Sequence, residues 1–297
     1  MASMASKETA TPLYFEESHA IISTIGLVWV LLGITIASIK GRLSAVLLVP
    51  IIVSAACALA NGLRYIAYFG ERSLVTTTIA DLFAEFFYLI QETGLPFYGY
   101  LILYYILHGR DRAIFLTLFW VLMLVVIVIR VFVIINLGLF SLTHYISLRR
   151  FQTITRSLMP IVFVAVALIE CITAVFLLRT LRLALLASGK SPLKGGRLVR
   201  YLMSSTEIRV ASLALIGIAR TATYLSQGHE LTGGTNTVAI QVDMFIIVLQ
   251  ALFPITMFID IITSHYIRAL ESRARSYPLS SVTGEGASAV WQATRQT

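Results

Sequence analysis

The stretch Asp81–Tyr105, DLFAEFFYLIQETGLPFYGYLILYY, decides how this chain is read. It is apolar enough to lie in hydrocarbon, yet it carries Asp81, Glu85 and Glu92. At 3.6 residues per turn these three acids and Tyr88 fall within an arc of about 60° on one helix face. A carboxylate in a bilayer is costly, so such residues face the protein interior and mark an ion path, a proton relay or a reaction site.

The rest of the chain confirms the hydrocarbon setting. Its 297 residues are 58% hydrophobic and only 13% charged, with a mean hydropathy of +0.85. A helix needs about 20 apolar residues to cross a bilayer. Seven runs meet that length, at Ala20–Ser38, Ser44–Phe69, Leu82–Leu107, Ala113–Leu137, Leu158–Leu183, Tyr201–Ser226 and Val238–Tyr266. The expected fold is therefore all-α, a polytopic seven-transmembrane-helix bundle. Residues 1–19 form a polar N-terminus, residues 20–268 the membrane domain, and residues 269–297 a tail without apolar periodicity that reads as disordered. The first run follows about twenty polar residues and lacks a basic leader, so it reads as a span rather than a cleaved signal.

Charge distribution sets the expected orientation. The net charge of +8 arises from clusters at Lys40 and Arg42, at Arg110 and Arg112, between Arg179 and Arg200, and in the C-terminal tail. These all belong to one side. The other side holds Lys7, Arg72, Arg149, Arg150 and Arg156. The positive-inside bias places the first side, with the C-terminus, in the cytosol and the N-terminus outside or in a lumen; the endoplasmic reticulum is the expected membrane. Basic residues outside the spans gather mainly in the loops and tail of one side, which speaks for anionic lipid and against nucleic acid. Cys57 and Cys171 both fall in spans, as small packing residues.

An internal repeat runs through the spans. Arg64 and Tyr68, followed by Gly70, parallel Arg220 and Tyr224, followed by Gly228. Glu85 precedes Pro96 by eleven residues and Arg110 by twenty-five, and Asp243 precedes Pro254 and Arg268 by the same intervals. The parallel predicts a 3+1+3 arrangement with the fourth span unpaired, and it points to the interface of the halves as the central site. Glu85 and Asp243 would then face one cavity. A desolvated carboxyl there can serve as a general acid. Equally, Arg64, Arg130, Arg209 and Arg220 can pair with Glu85, Glu92, Glu207 and Asp243, holding the bundle together without chemistry. Asp81 falls at the edge of its span, in an interfacial loop.

Other features are shared between packing and function. The third span is dense in aromatic rings, among them Phe86, Phe87, Tyr88, Phe97, Tyr98, Tyr100, Tyr104 and Tyr105. Ring faces attract cations and would shield a carbocation, although the same rings also pack or lie at the interface. Pro96 and Pro254 free backbone carbonyls in the third and seventh spans. No two histidines have metal-ligand spacing, so no metal site is expected. The four lysines, Lys7, Lys40, Lys190 and Lys194, leave the last span without a Schiff-base lysine, which argues against a retinal protein. No phosphate-binding Gly loop, nucleophile elbow, zinc motif or paired diphosphate–magnesium motif is present.

In size, helix number, lack of diphosphate motifs and the separated acids Glu85 and Asp243, the chain resembles the small seven-helix integral-membrane terpene cyclases of fungal meroterpenoid pathways, including the ascochlorin-type group. The resemblance implies cofactor-free cyclisation of a lipophilic prenylated substrate entering from the membrane. Glu85 would protonate an epoxide or olefin, and Asp243 or Glu92 would receive the proton or orient the acid. Tyr88, Phe87 and Tyr98 would shield the cation, with Arg64 and Arg220 beside the substrate. The alternative is a seven-helix transporter, lipid-translocating protein or receptor, in which the acids and Arg64/Arg220 form gating pairs or a ligand site. A third reading is a scaffold whose polar residues only join helices.

Overall fold

The computed structural model describes residues 13–41, 43–69, 73–143, 148–188, 208, 211–213, 215–223 and 237–276, and these are helical almost throughout. Five helices come first: α1 (Leu13–Lys40), α2 (Ala45–Phe69), α3 (Leu74–Ile106), α4 (Gly109–Thr143) and α5 (Leu148–Ser188). A shorter apolar helix, α6 (Ala211–Thr223), follows, and α7 (Thr237–Ser276) closes the described part. All except α6 are long and apolar enough to cross a membrane, six in total. This is the architecture of a multi-pass membrane protein.

Several boundaries differ from the sequence expectation. Helix α3 starts at Leu74, capped by Ser73, whose Oγ accepts a hydrogen bond from the Thr76 amide at 3.4 Å. Asp81 therefore lies two turns inside a helix rather than in an interfacial loop. Helix α7 continues to Ser276, so residues 269–276, assigned to the tail, are helical. The rest of the tail, the basic loop at 187–197 apart from its first two residues, most of the first half of the sixth span, and Gly70, Tyr224 and Gly228 lie outside the described residues.

Close approach between helices comes from small residues. A Cβ built on Gly26 of α1 would lie 2.9 Å from both the Ala58 amide nitrogen and the Ser54 carbonyl oxygen of α2, so these backbones meet only because position 26 has no side chain. This small-residue contact is a usual device where lipid offers no hydrophobic drive between helices. Elsewhere, α3 and α4 are joined by Leu107 and His108 alone, and Gly109 adopts φ 65°, a left-handed conformation that other residues resist. The tight turn makes α3 and α4 antiparallel neighbours. Helix α3 packs on α2, α4 and α5, while α7 packs on α1 and α2.

The buried stripe of α4 shows how this packing selects a face. Phe115, Phe119, Met123, Val126, Arg130 and Val133 recur every three or four residues and are all buried. Trp120, Val121, Leu124, Val128 and Phe132 point outward as a lipid-facing apolar surface. Arg130 is the one charged residue in the inward stripe, and the candidate site is built around it. Cys57 is buried, in keeping with a packing role, whereas Cys171 faces outward.

Candidate functional site

Four acids and three arginines alternate in one connected chain, Asp81–Arg64–Glu85–Arg130–Glu92–Arg220–Asp243. Five helices contribute: α2 supplies Arg64, α3 the first three acids, α4 Arg130, α6 Arg220 and α7 Asp243. The 3.6-residue period places Asp81, Glu85 and Glu92 on one face of α3, so a single helix offers acceptors to arginines from three others.

The α2–α3 end is tightly bonded. Arg64 donates to Glu85 Oε1 through Nη1 at 2.8 Å and Nη2 at 3.0 Å, and reaches Asp81 Oδ1 at 3.4 Å. The guanidinium also lies 5.5 Å from the Tyr88 ring centre and 5.6 Å from that of Tyr68. Arg130 takes the other oxygen of Glu85 at 3.1 Å. It donates from Nε to Glu92 Oε2 at 2.8 Å, and from Nη2 to Glu92 Oε1. The Arg130–Glu92 contact is a two-point fork, the geometry in which guanidinium and carboxylate match best. Both side chains are nearly inaccessible, 4% and 5% exposed.

The α6–α7 end is held differently. Arg220 donates from Nη1 to Gln250 Oε1 at 2.9 Å, lies 3.6 Å from Glu92 Oε1, and presents Nε to Asp243 Oδ1 at 3.8 Å. That last distance is an ion pair but too long for a hydrogen bond. Nε is buried and has no hydrogen-bond partner among the described residues. Asp243 accepts only a long bond, 3.4 Å, from Thr223 Oγ1, a hydroxyl that also donates to the Arg220 carbonyl at 2.9 Å. The Arg220 guanidinium carbon stands 4.3 Å from the Phe163 ring centre, so a ring face covers one side of the cation.

Beside the chain runs a neutral polar strand. Tyr88 donates its hydroxyl to Asn61 Oδ1 at 2.9 Å, and His19 Nδ1 lies 3.2 Å from the same oxygen. Asn61 Nδ2 donates to the Cys57 carbonyl at 2.9 Å. Asn61 ties α1, α2 and α3 together just behind Arg64.

The structure thus brings Glu85, Glu92, Asp243, Arg64, Arg220 and Tyr88 into one site. Glu85 and Asp243 do not touch, because Arg130, Glu92 and Arg220 lie between them. The expected pairing of Arg64, Arg130 and Arg220 with Glu85, Glu92 and Asp243 is present; Arg209 and Glu207 lie outside the described residues. Two of the expected cation-shielding rings belong elsewhere. Tyr98 is buried in an apolar cluster with Leu47, Val53, Met257 and Phe258, and Phe87 meets Phe86 edge-on at 5.8 Å. Measured round the helix from Asp81, both lie roughly a third of a turn away from the acid face. Much of the remaining aromatic density is packing: Phe97 and Tyr100 meet Phe119 and Trp120 of α4.

Asn61, Thr223 and Gln250 were not singled out from the sequence. Asn61 precedes Arg64 by three residues and shares its face. Gln250 follows Asp243 by seven residues, as Glu92 follows Glu85, so the repeat itself carried the signal. Among the described residues no group of three His, Cys, Asp or Glu side chains is placed to hold a metal ion. Comparison with protein-family models, with curated proteins and with solved structures finds no match.

Proposed function

We propose that this chain is a membrane transporter whose working element is the alternating ion-pair chain, with α6 and α7 moving against α2–α4. The observation that carries this reading is the sharing of Arg220 among three acceptors on two helices: Glu92 of α3, and Gln250 and Asp243 of α7. Exchange among them shifts α6 between partners without leaving a bare charge in hydrocarbon. Discrete alternative pairings of this kind are what a switching element requires.

Prolines stand beside the same acceptors. A proline removes the bond to the carbonyl four residues earlier. Pro96 therefore frees the carbonyl of Glu92, and Pro254 that of Gln250. Each helix is weakened one turn beyond a partner of Arg220, where bending would change the pairing. The pairs Arg64–Glu85 and Arg220–Asp243 correspond under the 3+1+3 repeat, which supports reading α6 as the sixth of seven spans and Arg130 of the unpaired α4 as the fixed centre.

The test is reconstitution of the full chain in liposomes, scored for proton movement with a trapped pH dye and for lipid crossing with a quenchable headgroup label. Movement of either above protein-free vesicles, reduced at least tenfold by Arg220→Met, is the expected result. Folded protein that moves neither overturns the reading in favour of a scaffold.

The cyclase is the second reading, favoured by the loosely held carboxyl of Asp243. There the acid would be Asp243 rather than Glu85, since both oxygens of Glu85 already accept from arginines. Formation of an isomer of unchanged mass from a farnesylated aromatic epoxide, lost in Asp243→Asn but not in Tyr98→Phe, would establish it. Neither reading requires a cofactor.

A further inference from the structure

The ion-pair chain does not balance. Asp81, Glu85, Glu92 and Asp243 supply four negative charges, and Arg64, Arg130 and Arg220 supply three positive ones. No other cation of the described residues lies within ion-pair distance of these acids. In water a single excess charge is trivial, but in a largely buried site it is costly. Such a site neutralises itself by binding a cation or a proton.

Geometry locates the deficit. Glu85 and Glu92 are each flanked by two arginines and accept short hydrogen bonds on both oxygens, so neither has an oxygen to protonate without breaking an arginine contact. Asp81 accepts from Arg64 at 3.4 Å and has the more exposed side chain, 22% against 14% for Asp243. Asp243 alone accepts no hydrogen bond from a guanidinium, and Nε of Arg220, aimed at it across 3.8 Å, is left unbonded. A hard metal cation would want several oxygen ligands. Around Asp243 the polar side chains of the described residues are Thr223 Oγ1, already donating, and Gln250 Oε1, already accepting. A proton needs one oxygen.

We infer that the carboxyl of Asp243 is a proton-binding site and that the proton is the coupling ion of the transporter proposed above, on which the second half of this statement rests. Binding converts the Asp243 carboxylate to the neutral acid with no other bond made or broken. It removes the charge attraction between Asp243 and Arg220, leaving Arg220 to Glu92 of α3 and to a single neutral acceptor on α7, Gln250 Oε1. Release restores the charge and draws Arg220 back toward Asp243. The groups around this switch are Arg220 and Thr223 on α6, Gln250 on α7, Glu92 on α3 and Arg130 on α4. Beyond them lie His19 of α1, held against Asn61 of α2, and Ser18 of α1, which donates to Met244 Sδ at 3.9 Å. Glu170 of α5 is a further buried acid, outside the chain.

Infrared spectroscopy of the full chain in liposomes tests this directly, at a pH where exposed carboxyls are ionised. The expected result is a carbonyl band of a neutral carboxylic acid that shifts in heavy water, is absent in D243N, and persists in D81N and E170Q. Should D243N fold poorly, D243E serves as the second variant and should keep the band at a displaced frequency. A wild-type spectrum without the band overturns the inference, as does a band that survives D243N or disappears in D81N. Sodium-dependent thermal stability with no band would put a metal cation in the proton's place and overturn it equally. A band that behaves as expected in a protein that moves no protons would leave the binding site standing and defeat the transporter reading alone.

Discussion

The two ends of the ion-pair chain are built from the same residue types and bonded in opposite ways. Arg64 holds Glu85 with two hydrogen bonds of 2.8 and 3.0 Å, whereas Arg220 and Asp243 stand 3.8 Å apart with no hydrogen bond between guanidinium and carboxylate. In a low-dielectric interior the first arrangement fastens helices, because separating the partners leaves each charge uncompensated. The second is a contact that one added proton can dissolve. On the transport reading proposed above, the difference puts α2, α3 and α4 in the frame and α6 and α7 in the moving part.

Replacing the residue that joins the two ends should have the largest effect. Arg130→Met leaves Glu85 without one of its two arginines and Glu92 without its fork, in a site where both are buried. Breaking a buried pair by removing one partner costs about 3–5 kcal/mol, and that loss is expected in denaturant or thermal unfolding of the detergent-solubilised chain. A loss below about 1 kcal/mol would show that the chain does not hold the frame.

Next comes Glu85→Gln. Glutamine keeps one acceptor oxygen but loses the charge that Arg64 and Arg130 share, and hydrogen bonds to charged groups contribute about 1.5–3 kcal/mol each. A destabilisation of about 2 kcal/mol is expected, clearly larger than that of Asp243→Asn. The reverse order would break the assignment of frame and moving part.

How much of this could be read in advance depended on the range of the interaction. Six of the seven expected spans followed from local composition, and the grouping of Asp81, Glu85, Glu92 and Tyr88 followed from helical period alone. The same period excludes Phe87 and Tyr98 from the acid face, since both lie about a third of a turn away; ring chemistry had drawn attention ahead of geometry. Bond partners were not legible. Arg130 reaches Glu92 across 38 positions of sequence and Arg220 reaches Gln250 across 30, and which arginine meets which acid depends on rotation and depth of separate helices. That Glu85 is clamped on both oxygens, and so unsuited to donating a proton, follows only from that packing.

Asn61 offers a smaller test within the frame. Its Oδ1 accepts from Tyr88 and faces His19 Nδ1, and Asn61 and His19 are buried. Asn61→Leu leaves the tyrosine hydroxyl and the histidine nitrogen without this acceptor, at a cost of about 1–3 kcal/mol. Because the frame is common to both states of the proposed switch, transport by surviving folded protein should keep its pH dependence. A changed pH profile with unchanged stability would place Asn61 in the moving part instead.

Asp243→Asn should have the smallest effect on stability and the most specific effect on behaviour. Asparagine imitates the neutral acid in shape and charge, so if Asp243 carries the proton the substitution removes little, under about 1 kcal/mol at neutral pH. The sign of the pH dependence follows from linkage. A folded chain that keeps a proton on Asp243, which the unfolded chain has already released, binds more protons than the unfolded chain, so stability falls as pH rises and that proton is lost. The wild type should therefore weaken toward alkaline pH by more than the variant, with the two curves meeting in acid. Melting temperatures of both proteins across the same buffers measure this. Parallel curves would mean that Asp243 is ionised throughout, and the loose end of the chain would then be an uncompensated charge rather than a switch.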